Sequence, residues 1–314
     1  MKKLIITLSC VLSIAGCNST GGYKKDPITQ SSLAPEMSVE RLLRDTHSAK
    51  DLYFPSDVTD INSVKYPKMS LFKPDGAGPF PALVLAHQCG GLDNSRTGWK
   101  NLSMLEWSKK AVRHGYVVLL IDQLTQRGIG TRCKGKAGGL NFGRSTKDIF
   151  QAADHLRKLD FVEPDKIAVA GYSFGAMLAA LASSNRWGET LQETGRFAAA
   201  VSFYPGCYTI RPRRGLPYEI VNTDIDKPLL VLLGEKDTET PAHECSQKLE
   251  IAKSNGSIAE WHIYSDTTHC WDCENLDGHS KVTNRGFHST YRYSEAATKD
   301  SEKRMFDFLR KHLN

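Results

Sequence analysis

The segment Gly-Tyr-Ser-Phe-Gly at residues 171–175 has the residue types and spacing that nucleophilic chemistry requires. Lys166 and the apolar residues 167–170 precede it and an Ala/Leu-rich run follows it, so the pattern predicts a strand, a tight turn and a helix. A serine on such a turn points out of the sheet, and the glycines remove side chains that would collide. The helix N-terminus also stabilises developing negative charge. Ser173 is therefore the candidate nucleophile.

A serine hydroxyl needs a base, and the base needs an acid that orients it. The apolar run 228–233 ends in Gly-Glu-Lys-Asp, which places Asp237 in the loop after a predicted strand. Residues 258–264 predict the last strand, and His269 follows shortly after it. Nucleophile, acid and histidine then occur in the order found in α/β-hydrolases.

Other acids and histidines lie close to these positions. Glu235 and Asp266 also follow strands and remain alternatives to Asp237. His262 lies inside a predicted strand, and His279 and His288 lie in a polar insertion, so we do not assign any of these three as the base.

An oxyanion hole requires two backbone amides, one of them from the residue after the nucleophile. That residue is Phe174. The predicted strand 80–86 runs into His-Gln-Cys-Gly-Gly, where the glycines allow the backbone to approach a substrate closely. We assign the second donor to the Cys89 N–H, with the Gln88 N–H as the alternative.

Short apolar runs alternate with amphipathic stretches along most of the chain, which predicts βαβ units. The predicted strands are 80–86, 116–121, 166–170, 197–203, 228–233 and 258–264, and the predicted helices are 101–114, 146–159, 176–184, 241–254 and 294–312. The fold class is therefore α/β, with a mostly parallel central sheet covered by helices on both faces. No repeat or break in composition divides this region, so we expect one domain.

The first residues read as a secretory signal, with two lysines before a short apolar run. Residues 14–17, Ile-Ala-Gly-Cys, resemble the lipobox of bacterial lipoproteins, in which the cysteine carries the lipid. We therefore predict a signal peptide at 1–16, a lipid anchor on Cys17, a flexible tether at 17–35 and the hydrolase domain at 36–314. The alternative is a plain signal peptide with Cys17 as a bystander. The lipoprotein reading predicts a bacterial cell-envelope protein that faces the periplasm, with the outer membrane favoured.

Charge excludes one class of partner. The 314 residues carry a formal net charge of +6, and the basic residues are scattered among 35 acidic ones. No basic stripe indicates nucleic-acid binding. The expected partners are a small ester substrate and the membrane, and nothing indicates an oligomeric state.

Six segments in order resemble the dienelactone hydrolase family of α/β-hydrolases. They are HQCGGL, IDQLTQRGIGTRC, GYSFGA, FYPGC, GEKDTETPAHEC and the His269 loop, and together they cover about residues 60–314. The first resembles a secreted branch with a His-x-Cys-Gly-Gly oxyanion loop. The resemblance implies an α/β-hydrolase fold and cofactor-free ester hydrolysis through an acyl-enzyme, with Ser173, Asp237 and His269 in the triad positions. The founding members use cysteine where this chain has Ser173.

The resemblance also suggests substrate contacts. Family members place an arginine at the position of Arg127, where it can bind a substrate carboxylate. Gln88 and Tyr172 are further expected substrate contacts. The segment 270–293 is longer than the usual link between the histidine and the last helix.

Six of the eight cysteines fall in the predicted domain, an even number that suits disulfides in an oxidising compartment. The resemblance suggests that Cys89 pairs with Cys133 and Cys207 with Cys245. Cys270 and Cys273 then remain as a CxxC pair, for which we favour a disulfide over a redox pair or half a zinc site, because no second CxxC exists. No metal is expected.

These observations predict a serine hydrolase that cleaves carboxylic esters of small or medium size through an acyl-enzyme. Two alternatives remain open. One is a peptidase related to prolyl oligopeptidase, and the other is a non-catalytic binding lipoprotein of the envelope.

Overall fold

A seven-stranded sheet organises the protein, and the computed structural model describes residues 27–94, 98–135, 137–283 and 285–313. The predicted leader and Cys17 lie outside the described residues. The strands are β1 (Ser70–Phe72), β2 (Phe80–Ala86), β3 (Asp93–Asn94), β4 (Trp99–Lys100), β5 (Val117–Leu120), β6 (Val162–Tyr172), β7 (Ala199–Phe203), β8 (Leu229–Gly234), β9 (Ala259–Tyr264), β10 (Ser280–Val282) and β11 (His288–Thr290). The α-helices are α1 (Val39–Thr46), α2 (Leu102–Arg113), α3 (Phe142–Leu156), α4 (Phe174–Ala182), α5 (Asn185–Leu191), α6 (Ala242–Ser254) and α7 (Glu295–Leu313).

The strand order in the main sheet is β1-β5-β2-β6-β7-β8-β9. All neighbours are parallel except β1, which runs antiparallel to β5 at the edge. This confirms the predicted α/β-hydrolase class. Each strand and helix predicted from periodicity is present, whereas β1, α5 and the β10–β11 hairpin are additions without a strong apolar period.

Alternation along the central strands divides the core into two layers. In β2, Val84 belongs to one buried cluster, and Leu83 and Leu85 belong to the other. Helices α3, α4 and α6 cover the first face, and α2 and α7 cover the second. Every residue of α4 is buried, which explains why its sequence is apolar on all sides.

The end of the predicted tether is bound to the domain. The Ile28 N–H donates to Gln247 Oε1 at 3.0 Å, and the Ala34 N–H donates to Glu219 Oε1 at 2.8 Å. The folded unit therefore begins before residue 36, because side chains of the domain satisfy backbone groups of residues 27–35. Among the described helices, none combines the length and apolar character needed to cross a membrane.

Helix α4 starts unusually close to the end of β2. A Cβ atom on Gly175 would lie 2.1 Å from the Ala86 carbonyl oxygen, and one on Gly171 would lie 2.0 Å from the Gly175 carbonyl oxygen. Only glycine permits these backbone approaches, which set the position of the turn that carries Ser173.

We predict that Gly175→Ala lowers the free energy of unfolding by about 3 kcal/mol or more, because its new methyl group would overlap backbone atoms that cannot move aside. Gly130→Ala is the matched control, since the nearest atom to its Cβ would be 3.6 Å away. We expect the control to change stability by less than about 0.5 kcal/mol in urea unfolding. Equal effects of the two substitutions would contradict the close-approach constraint.

Candidate active site

Ser173 occupies a strained turn between β6 and α4. Its backbone has φ 51° and ψ −108°, a conformation that is costly for a residue with a Cβ atom. The Ser173 N–H donates to the Phe203 carbonyl at 2.9 Å, which ties the turn to the end of β7. Ser173 is 8% exposed, so the hydroxyl is sheltered but reachable.

The structure brings Ser173, His269 and Asp237 together in one hydrogen-bonded chain. Ser173 Oγ lies 3.0 Å from His269 Nε2, and His269 Nδ1 lies 2.7 Å from Asp237 Oδ2. The other Asp237 oxygen accepts the backbone N–H groups of Glu239 and Thr240, each at 2.8 Å. These bonds fix the carboxylate that orients the imidazole.

The two alternative acids take no part in this chain of contacts. Glu235 and Asp266 are exposed, and Asp266 pairs instead with Lys236. Of the three acids considered from the sequence, only Asp237 reaches the imidazole.

Two opposing effects act on the buried imidazole of His269. Burial lowers its pKa, but the nearby carboxylates of Asp237 and Glu239 outweigh burial and raise the pKa above its usual value. An imidazolium at this position would therefore be stabilised by the two carboxylates.

The loop after β2 lies against the start of α4. The Gly175 N–H donates to the His87 carbonyl at 3.1 Å. The N–H groups of Phe174 and Cys89 donate to no acceptor in the described part of the chain. Both amides are thus available to an oxyanion, and their role as its donors stays a prediction.

His87 holds this loop in place. Its Nε2 accepts the Gln123 N–H at 3.1 Å, so Nδ1 carries the proton and donates to the Gln88 carbonyl at 2.6 Å. Burial lowers the pKa of His87, which keeps the ring neutral. We assigned His87 no role from the sequence.

Two of the expected substrate contacts are corrected by the structure. Tyr172 has no exposed surface, and its ring stacks on Phe203 at 4.6 Å between centroids. The Gln88 side chain turns inward, where its amide donates to the Tyr204 hydroxyl at 3.2 Å. Alternation along β6 directs Tyr172 to the core, and buried polar partners hold Gln88 there.

Arg127 is also corrected, because its guanidinium is a structural group. It forms a two-point ion pair with Asp148 at 2.7 and 2.8 Å, with side-chain exposures of 2% and 0%. Its Nε donates to the Lys50 carbonyl at 2.9 Å, and Nη1 also donates to the Gln123 carbonyl at 3.1 Å. With its donors engaged in the interior, Arg127 is not placed to bind a substrate carboxylate.

A different arginine lies beside the oxyanion loop. The Arg132 guanidinium carbon is 3.6 Å from the centre of the Phe174 ring, and the Arg132 N–H donates to the Cys89 carbonyl at 3.0 Å. Its one side-chain hydrogen bond goes to Ser145 Oγ at 3.1 Å, and no carboxylate of the described residues pairs with it. Burial lowers the pKa of Arg132 to about 10. The sequence offered one indication that Arg132 lies near this loop, because it directly precedes Cys133, the expected disulfide partner of Cys89.

Three disulfides join Cys89 to Cys133, Cys207 to Cys245 and Cys270 to Cys273, which confirms the expected pairing. The Cys270–Cys273 bridge brackets Asp272. Donor atoms of these three residues lie within 4.8 Å of one another, but the sulfurs are bonded together and offer no thiolate to a metal.

The carboxylate of Asp272 is buried behind His269. It accepts the Tyr204 hydroxyl at 2.7 Å and the Trp107 indole N–H at 2.8 Å. Burial raises the pKa of Asp272. The Tyr204 ring meets His269 edge-on, with centroids 4.7 Å apart, so this cluster forms the inner wall of the site.

We predict that Arg127→Met lowers the free energy of unfolding by about 3 kcal/mol, because it removes one partner of a buried ion pair. Arg214→Met, at an exposed arginine, is the control and should change stability by less than about 0.5 kcal/mol. Urea unfolding gives the stability, and the ratio of activities on anionic and neutral esters should stay unchanged. A selective loss of activity on anionic esters would restore Arg127 as a substrate contact.

Solved structures with this fold include several hydrolases. An esterase from Thermogutta terrifontis with bound propionate is 15% identical, covers 81% of this chain and 93% of its own, and superposes with a TM-score of 0.56. The same esterase phosphorylated by paraoxon gives 16% identity, coverages of 81% and 93%, and a TM-score of 0.54. MGS-M1, an α/β hydrolase from a deep-sea metagenome library, is 18% identical, covers 81% of this chain and 96% of its own, and has a TM-score of 0.53. At these identities the similarity establishes the fold.

A comparison with curated proteins finds no match. The family model for the dienelactone hydrolase family matches residues 68–313, which span the sheet, the turn at Ser173, both other members of the hydrogen-bonded chain and α7. The chain therefore belongs to the dienelactone hydrolase family.

Proposed function

We propose that this protein is a serine hydrolase that cleaves carboxylic esters of small or medium size through an acyl-enzyme. The observation that carries the proposal is the continuous hydrogen-bonded chain from Ser173 Oγ through His269 to Asp237, at 3.0 and 2.7 Å. Such a chain activates a hydroxyl that is otherwise a poor nucleophile.

The geometry supports a two-step reaction. His269 Nε2 removes the proton from Ser173 Oγ as the oxygen attacks the ester carbonyl, and the Phe174 and Cys89 amides bind the resulting oxyanion. The tetrahedral intermediate collapses when His269 returns the proton to the leaving alcohol oxygen. Water then attacks the acyl-enzyme by the same route and releases the acid, and Ser173 regains its proton.

Solved structures with a similar fold agree with this chemistry. The Thermogutta terrifontis esterase is described with bound propionate and butyrate and as phosphorylated by paraoxon. Short acyl groups and a covalently modified esterase are what a serine mechanism for small esters would produce. We extend that likeness to this chain as part of the proposal.

We further propose that Arg132 binds an anionic group on the acyl portion of the substrate. Its guanidinium is buried against Phe174, it lacks a carboxylate partner among the described residues, and its backbone is joined to the Cys89 loop. A buried cation without a counter-charge favours an anion, and a guanidinium can hold a carboxylate by two hydrogen bonds.

Export to an oxidising compartment is also proposed. Three disulfides among the described residues support it, because such bonds persist outside the cytosol. The signal peptide at 1–16, the lipid anchor on Cys17, the outer-membrane location and membership of the secreted branch remain proposals that rest on the sequence pattern.

We predict that a fluorophosphonate probe forms one adduct per chain on Ser173, and that Ser173→Ala abolishes labelling and reduces kcat by about 10⁴-fold or more. Intact-mass spectrometry measures the adduct, and an exposed-serine variant, Ser265→Ala, is the control. An unlabelled wild-type protein, or equal labelling after Ser173→Ala, would contradict the hydrolase proposal and favour a non-catalytic binding protein.

We predict that Arg132→Gln reduces kcat/KM for p-nitrophenyl monosuccinate by about 10- to 100-fold, the value of a hydrogen bond to a charged group. Activity on neutral p-nitrophenyl butyrate should change by less than about threefold, since its uncharged acyl group forms no ion pair with the guanidinium. Arg214→Gln, at an exposed site, should affect neither ester. Equal losses on the two esters would show that Arg132 does not recognise the carboxylate.

A further inference from the structure

A second carboxylate faces the imidazole from the side opposite Asp237. Glu239 Oε2 lies 3.9 Å from His269 Nε2, and the Glu239 side chain is 17% exposed. This distance is too long for a hydrogen bond. His269 Nε2 is instead bonded to Ser173 Oγ at 3.0 Å, so Glu239 does not compete for the imidazole.

The long insertion before α7 holds Glu239 in this position. Lys281 Nζ, on β10, donates to Glu239 Oε1 at 3.0 Å, and the Tyr291 hydroxyl, just after β11, donates to Glu239 Oε2 at 2.9 Å. From the other side, Asp237 accepts the Glu239 N–H. The carboxylate is therefore fixed both by its own loop and by the hairpin.

The hairpin is itself anchored to the domain. Thr238 Oγ1 donates to the His288 carbonyl at 2.7 Å, and Arg285 donates to both oxygens of Glu244 at 2.6 and 3.0 Å. These contacts join β10 and β11 to the loop after β8 and to α6. The insertion thus forms one wall of the site.

Glu239 retains unused capacity to accept hydrogen bonds. A carboxylate has about four lone-pair sites, and Lys281 and Tyr291 occupy two of them. If a water oxygen lay about 2.8 Å from both His269 Nε2 and Glu239 Oε2, the Nε2–O–Oε2 angle at that oxygen would be roughly 90°. This is close to the angle between the two O–H bonds of water. The 3.9 Å separation therefore suits one water molecule that bridges the two groups once the alcohol has left.

We propose that Glu239 is a further catalytic residue, which binds and orients the water that hydrolyses the acyl-enzyme. This inference rests on the proposed function. The water gives one proton to His269 Nε2, donates its other hydrogen to Glu239 Oε2, and bonds through its oxygen to the acyl carbon. The bond from that carbon to Ser173 Oγ then breaks, His269 returns its proton to Oγ, and the acid leaves.

Several ionisable groups surround His269. They are Asp237 and Glu239 from the β8–α6 loop, Tyr204 after β7, Asp272 from the disulfide turn, Lys281 from β10 and Tyr291 after β11. Of these, Glu239 acts to raise the pKa of His269 and Lys281 acts to lower it. The two ends of one ion pair therefore have opposite effects on the base.

That opposition provides matched variants. Glu239→Gln and Lys281→Met break the same ion pair, but only the first replaces the carboxylate proposed to bind the water by a neutral, weaker acceptor. Release of p-nitrophenolate from p-nitrophenyl butyrate with enzyme in excess measures acylation, and intact-mass spectrometry of quenched samples follows decay of the acyl adduct. The pH dependence of the acylation rate reports the pKa of His269.

We expect Glu239→Gln to slow adduct decay by about tenfold or more while acylation changes by less than about threefold. The acid limb of its pH–acylation-rate profile should move to lower pH. Loss of the negative charge lowers the pKa of His269, so the base stays neutral down to a lower pH. Lys281→Met keeps the Glu239 carboxylate and its bond from the Tyr291 hydroxyl, so it should slow adduct decay by less than Glu239→Gln does. The acid limb of its pH–rate profile should move to higher pH, because loss of the positive charge raises the pKa of His269. Glu239→Asp, which keeps the charge but withdraws it, should slow decay and is the substitute if the glutamine variant does not fold.

Unchanged decay in Glu239→Gln would overturn the proposal, as would equal slowing of acylation and decay in both variants, which is what a purely structural ion pair produces. Failure of the proposed function has a different signature, because the wild-type protein would then form no adduct on Ser173. An adduct that forms normally but persists in Glu239→Gln would support both.

Discussion

The arrangement of the site depends on how closely the start of α4 approaches the end of β2. Gly175 packs against backbone atoms of Ala86, and its N–H bonds the His87 carbonyl. This contact places the Phe174 amide beside the loop that carries Cys89 and forces Ser173 into a left-handed backbone conformation. The cost of that conformation is offset by the surrounding hydrogen bonds and by complete burial of α4. Ser173 and the two amides proposed as oxyanion donors are therefore positioned by the same backbone geometry.

Around this turn, each part of the site is held by the buried network behind it. Asp237 orients the imidazole of His269 and also accepts the backbone N–H of Glu239. One carboxylate therefore positions both the imidazole and the glutamate that faces it. On the inner side, Asp272 and Tyr204 pack behind the ring. Two disulfides adjoin these elements, one at Cys89 and one directly after His269. Little side-chain rearrangement is needed for reaction, which is what preorganised catalysis requires.

The sequence predicted roles that follow from a residue's place along the chain. It did not predict roles that depend on the direction in which the side chain points. Asp237 and His269 follow strands of a parallel sheet, whose ends meet at one edge, so their positions alone indicated proximity. Arg127 also lies after a strand, but its side chain turns inward to Asp148, and Tyr172 faces the core although it adjoins Ser173. Arg132 received no role because nothing in the sequence shows that it lacks a carboxylate partner among the residues that the structure describes.

The sequence by itself determined the fold class, the order of the elements, and Ser173 and His269 of the hydrogen-bonded chain, with Asp237 preferred over Glu235 and Asp266 as its acid. Apolar periodicity and turn chemistry act over a few residues, so a local pattern is sufficient to specify them. Only the tertiary structure decided which arginine has no carboxylate partner among the described residues, and how the insertion at 270–293 reaches the site through Lys281 and Tyr291. Those outcomes depend on contacts between segments far apart in the chain, because a charge is used or left available according to what the fold places next to it.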